Sequence, residues 1–346
     1  MRLIRTTLVV VLCLTAASLA QSGPQSIPGN VKMRQIAIIE LPGRPGYDAA
    51  AFANGMLLMA HSAANTVDIF DPVKRRLVAQ VQGIGEPRGM VVDPQTGFAY
   101  IAARSTNSIT VLNTKDWSVA GVIGLKHAPE NVALIPTAKS LLVSNPMNAS
   151  VSVVSLDALG KQDAELATID LGGRPQQIAW DPTRHVAYVA VEDRSEIAVV
   201  DPANTTAPLV KRFKVEASQP TGLAFDPGTR KLFVAVRYAV LQMDPDSGTE
   251  IARAPAAAGT DTLWLDDANK RLYAAAGDGS VHIFRVDGNI TTENEFRAEV
   301  RGHSIAYDPT TKMMYLSGGR EGRSKVLILK EAGTAPAGEA QTAENR

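Results

Sequence analysis

One arginine, one glutamate, one aspartate and one histidine stand at the same place in a repeated frame. Arg88, Glu130, Asp261 and His303 each open a short apolar segment, and Gln176 and Thr221 fill that place in two further segments. Gly46 fills it in another and is followed by Tyr47 and Asp48, while Asn131 follows Glu130. If the segments are arranged about a common axis, these nine polar residues point at one another and form a ligand-binding set. Within it, His303 oriented by Asp261 has the chemistry of a general base, and Arg88 that of an oxyanion stabiliser. Opening of a cyclic ester would use those roles, with Glu130 as the fourth candidate. A plainer reading pairs Arg88 with Glu130 and Asp261 with His303 as ion pairs in a wet channel, so no catalytic residue is assigned firmly. His303, Glu130 and Asp261 lack the compact spacing of a metal site, and no metal is assigned. Phosphate-loop, dinucleotide and Gly-x-Ser-x-Gly fingerprints are missing, so no cofactor is expected.

The frame itself is a unit of four short apolar runs. EPRGMVVDP, FAYIAAR, SITVLN and VAGVIGL show it once, and RPQQIAWDP, VAYVAVED, EIAVVDP and LVKRFKV show it again. The first run closes at Asp93, Ile135, Asp181, Asp226, Asp266 and Asp308, at spacings of 42, 46, 45, 40 and 42 residues. Four strands of Val, Ile, Ala and Tyr per period of that length predict a β-propeller blade. Proline after aspartate cannot donate to a ladder and so ends the innermost strand. Trp180 and Trp264 read as equivalent inner-strand residues packed between blades, and His61 and His282 as core residues.

Counting inner strands gives seven blades, the last with only three strands of its own. The fourth is QIAIIELPG, residues 35–43, ahead of the first complete blade. The predicted fold is therefore an all-β, seven-bladed propeller of four antiparallel strands per blade, closed by an N-terminal strand that completes the last blade and removes the open edges. It spans 34–330, between a flexible lead at 21–33 and a disordered tail at 331–346.

Residues 1–20 read as a signal peptide: Arg2 and Arg5, the apolar run 8–14, then Ser18-Leu19-Ala20 before the cut. That run is too short to span a bilayer, so no membrane span is expected after cleavage. The leader also holds the only cysteine, Cys13, which leaves no thiol for a disulfide, metal or nucleophile. Of 35 basic and 35 acidic residues the leader takes Arg2 and Arg5, leaving 33 against 35 and no basic face for nucleic acid.

The units AYIAARSTNSITVLNT, AYVAVEDRSEIAVVD and LLVSNPMNASVSVVSLD resemble the YVTN-type β-propeller repeat family of exported bacterial proteins. The resemblance covers about residues 34–330 but lacks the family's literal tetrapeptide, and blades five and six have shortened second turns at 237–238 and 277–279. WD-repeat propellers match only at Gly302-His303. The resemblance is specific for the fold and not for an activity; the closed repeat fold without a strong catalytic motif gives the expectation of a periplasmic or secreted, monomeric scaffold that binds a protein, peptide or small-molecule ligand at its channel mouth. Propellers that act as lactonases or lyases share the fold and supply the enzyme alternative.

Overall fold

A computed structural model describes residues 33–204 and 206–331. Residues 1–20, read from sequence as a signal peptide, nearly all of the 21–33 lead and the tail after residue 331 lie outside the described residues.

Twenty-eight strands form seven four-stranded antiparallel sheets. Six blades are contiguous in sequence: 50–82, 87–124, 132–170, 175–214, 223–255 and 260–297. The seventh combines Arg301–Asp308, Met313–Arg320 and Arg323–Glu331 with Met33–Leu41 as its outermost strand. Each inner strand touches those of both neighbours, blade seven against blade one included, so the ring is closed.

Second strands are apolar throughout because both of their faces are covered. Phe98–Ala103, Val186–Val191 and Lys231–Val236 are buried at every position after the first. Outer strands such as Glu165–Asp170 alternate exposed and half-buried side chains, the pattern of a sheet rim with one wet face.

The aspartate that ends an inner strand turns the chain by itself. Asp93, Asp181, Asp226 and Asp308 each accept the backbone N–H two residues on, at 2.8–2.9 Å. Asp266 turns without a following proline, held by Asn269. Two of these carboxylates also staple blades together: Asp181 lies 3.2 Å from Arg230 and Asp226 3.4 Å from Lys270 of the next unit. Burial alone would raise the Asp226 carboxyl; hydrogen bonds from Thr229 and Gly228, with the Lys270 charge, outweigh it and hold the group below the usual range.

Between second and third strands, blades one to four carry a single 3-10 turn that ends on a left-handed residue: Asn65, Asn107, Ala149 and Ser195. Asparagine tolerates that conformation and alanine does not, so Ala149 (φ 51°) stores strain. Ala149→Asn is expected to stabilise by about 1 kcal/mol, read as a small rise in urea midpoint at unchanged slope; a fall would remove strain as the explanation.

The two inner-strand tryptophans are not equivalent, against the expectation from sequence. Trp180 pairs with Ala187, directly before its turn aspartate, whereas Trp264 pairs with Tyr273, one residue earlier. Side chains alternate along a strand, so the two rings face opposite sides of their blades. Trp180 packs among Leu142, Val189 and Val200, and Trp264 among Tyr273, Tyr307 and Phe52. Blade seven has Ala306, opposite Tyr315, at the register of Trp264, and that small side chain leaves room for the indole to reach blade one.

Where the ring closes, a buried polar knot sits behind the mouth. The Asp68 carboxylate accepts from Thr66, Gln80, the Tyr47 hydroxyl and His61 Nδ1 at 2.8–3.0 Å. His61 Nε2 donates to the Arg44 carbonyl at 2.7 Å, and its ring stacks on Tyr47 at 4.1 Å. Ser324, from the strand paired with Met33–Leu41, donates to the Gly43 carbonyl beside it. Burial pushes the Asp68 carboxyl up, but the hydrogen bonds from His61, Gln80 and Thr66 prevail and hold it below the ordinary range.

Candidate channel-mouth site

The loops that lead into the inner strands and the turns between second and third strands share one face of the ring. There Asp48, Arg88, Asp261 and His303 do come together, with one pairing different from the expectation. Arg88 does not pair with Glu130. Its guanidinium lies 3.2 Å from Asp48 and is hydrogen-bonded to Glu86. Arg104 then bridges Glu86 and Glu130, so a chain of charge runs Asp48–Arg88–Glu86–Arg104–Glu130 across blades one to three. Side chains that start on one strand reach along the rim as readily as to the next blade, which a count of positions does not capture.

His303 Nδ1 lies 3.4 Å from Asp261 Oδ2, a close approach without hydrogen-bond alignment. Burial pushes the Asp261 carboxyl up; His303 and Arg88 oppose this, and the like charges of Asp48 and Glu192 reinforce it. Gln176 donates to Glu192 at 2.7 Å, and Arg174 stands 3.5 Å from the same carboxylate. Thr221 donates to the Thr260 carbonyl at 3.0 Å and is engaged between blades.

Two of the expected ligand residues also do structural work. Tyr47 is 5% exposed, with its ring on His61 and its hydroxyl on Asp68, and it lines the cleft on this face. The Asn131 backbone N–H donates to the Ser144 hydroxyl, and its side chain packs on Gly89, where a Cβ would come within 2.9 Å of Asn131 Oδ1. Glycine is required there for the inner strands of blades two and three to approach.

Sequence reasoning passed over Glu86, Arg104 and Glu192. Arg104 and Glu192 each follow the last residue of a second strand, so the repeat frame that located Arg88 also aligns them. It also passed over a cleft of about 720 Å³ on this face, between blades seven and one, with His303 and Arg301 on its wall and Gly302, Gly318 and Gly319 among its lining. Those glycines let the two strands meet: a Cβ on Gly302 would fall 2.2 Å from the Ser317 carbonyl oxygen. Arg320 is neutralised by Glu299, whereas Arg301 has no ion pair among the described residues. Among those residues no group of three or more His, Cys, Asp or Glu is placed to hold a metal ion, and no helix is long and apolar enough to cross a membrane.

Removing the crowded charge should stabilise the fold. An acid whose folded value is raised makes stability fall as pH climbs through that value. Asp261→Asn is therefore expected to raise the melting temperature at neutral pH, with the gain shrinking on acidification. An equal gain at every pH would refute the electrostatic cause.

These features define a seven-bladed β-propeller with a charged, mixed-sign channel mouth. Among solved structures the chain is similar to the hydrazine synthase of Kuenenia stuttgartiensis, at a TM-score of 0.69 and 13% identity over 83% of this chain and 96% of that one. At that identity the likeness shows the fold alone. No protein-family model and no curated protein matches the chain.

Proposed function

We propose that the protein is an exported binding scaffold of the YVTN-repeat type that captures a ligand or partner on its mouth face. The observation that carries the reading is the contrast between frame and contents. Seven units repeat one backbone, yet their inner-strand openings carry Asp48, Arg88, Glu130, Gln176, Thr221, Asp261 and His303. Structural need alone would let these positions resemble one another, as the turn aspartates do. The open cleft beside His303 and Arg301 supplies the concave surface a ligand needs. Export is supported by the charged, apolar and small-residue order of positions 1–20 and by the thiol-free remainder of the chain.

A thermal-shift screen of metabolites and peptides tests this reading, with Asp261→Asn and His303→Ala as controls. A hit whose stabilisation both variants remove supports it; hits that both variants bind as well as the parent chain overturn it.

The contact between Asp261 and His303 favours a second reading, in which His303 is the base of a cyclic-ester hydrolase. Arg88 weakens it, because its guanidinium is already taken by Asp48 and Glu86. Turnover of a lactone panel that is lost in His303→Ala at unchanged melting temperature would establish this reading; no turnover would end it.

A further inference from the structure

We propose that a second cavity, on the opposite face of the ring between blades seven and one, binds a planar aromatic carboxylate. The inner strands run from the mouth to their turns, and around the turns of blades seven and one lies a cavity of about 680 Å³. Its volume is that of a small-molecule site.

Four aromatic rings line it. Phe52 meets Trp264 edge-on at 6.3 Å and Tyr315 at 5.7 Å, and Tyr307 and Met313 complete the wall. Rings packed edge to face at such separations touch one another and form one continuous apolar wall, against which a flat apolar guest can lie. The indole is there because Ala306 leaves it space, an arrangement that the register of blades four and five, with Ala179 and Ala224 in place of Trp264, does not repeat.

Two polar groups in the cavity are unspent. Tyr315 is 1% exposed, and its hydroxyl donates to the Met313 thioether at 3.5 Å, a weak acceptor, with the Thr311 side chain beside it. Burial, then the Asp308 charge, push this phenol up to about 12 against the opposing Arg75, so it stays a donor. Arg75 itself lines the cavity and has no ion pair or hydrogen bond from its guanidinium among the described residues. The Asp308 carboxylate in the same lining keeps its charge but accepts from the Thr310 N–H and the Thr311 hydroxyl, so the exposed Arg75 guanidinium at the rim is the charged group left without a partner for a ligand to meet. A buried donor, a free guanidinium and aromatic walls call for one ligand chemistry: a flat ring that carries an anionic acceptor.

Isothermal titration with 2-naphthoate tests this, with 2-(aminomethyl)naphthalene as the cationic comparator. One saturable site for the carboxylate is expected, weakened tenfold or more by Arg75→Gln and by Trp264→Ala, with little or no binding of the amine. Tyr315→Phe removes only the hydroxyl and should weaken binding severalfold without loss of fold. His303→Ala, at the mouth, should leave it unchanged, which separates this site from the function proposed above. Absence of saturation at millimolar 2-naphthoate, equal affinity in Arg75→Gln, or equal binding of the amine would each overturn the proposal.

Discussion

Deleting residues 33–41 is expected to leave a protein that no longer melts cooperatively and that self-associates through an exposed sheet edge. That segment forms the outer strand of blade seven, paired residue by residue from Met33 opposite Glu331 to Leu41 opposite Ser324. Met33 and Leu41 are each 3% exposed, and Ile36, Ile38 and Ile39 pack beneath them. Burial of the two end residues alone contributes about 1.5–3 kcal/mol each, before the ladder of hydrogen bonds is counted. Against a total stability of about 5–15 kcal/mol such a loss is decisive. It also uncovers Arg323–Glu331, whose unpaired N–H and C=O groups would template pairing with another chain. A synthetic peptide of residues 33–43 should restore both the monomer and the melting transition. Size-exclusion chromatography and calorimetry decide the matter: a truncated monomer that melts within a few degrees of the parent chain would show that the closing strand is dispensable.

The second large effect belongs to His61. Both of its ring nitrogens donate, one to the Asp68 carboxylate and one to the Arg44 carbonyl, and the side chain is fully buried. His61→Ala leaves Asp68 charged in the interior with one donor fewer, and opens a cavity against the Tyr47 ring. Removal of one partner from a buried pair costs about 3–5 kcal/mol, which should lower the melting temperature by on the order of 10 °C. His185, in an exposed turn with left-handed backbone, is the control, and His185→Asn should show almost no change. The effect has a pH signature. The Asp68 value is lowered in the folded state, so its contribution is present above the unfolded carboxylate range near pH 4 and is lost as pH falls through the folded value. His61→Ala removes the largest of the hydrogen bonds that lower it and should flatten that acid limb. An acid limb unchanged by the substitution would show that Asp68 does not depend on His61.

The architecture was legible because repetition exposes it. One unit of four runs could be anything antiparallel, but recurrence at 40–46 residues and a final unit one strand short leave a closed ring as the simplest solution. The closing strand was found from that deficit, not from any property of Gln35–Gly43 itself. The mouth was legible only in part. Arg88, Asp261 and His303 could be placed at a common rim from the frame, and Asp261 beside His303, yet the groups around Arg88 could not, because Glu86 reaches it from the loop before its strand and Arg104 joins from the turn after the second strand. The tryptophan register was misjudged for a physical reason: one residue of slip in a strand reverses the face, and counting from Asp266 rather than from the apolar run separates Trp264 from Trp180. Asp68 was hidden because TVDIF reads as an ordinary third strand, and only the packed structure shows four donors closing on its carboxylate.

The pairing of the first strand with the last has a consequence in time. Glu40 and Arg323 are 283 residues apart, so one blade stays unfinished until the chain's far end has emerged. Joining ends so distant costs only roughly 2 kcal/mol more than closing a single blade, since the entropy of closure grows with the logarithm of length. The search is slow rather than expensive, however, and folding dominated by such remote contacts runs orders of magnitude behind local hairpin formation. Six blades can therefore form as they are made while the seventh waits, and the closed ring is the last feature of the fold to appear.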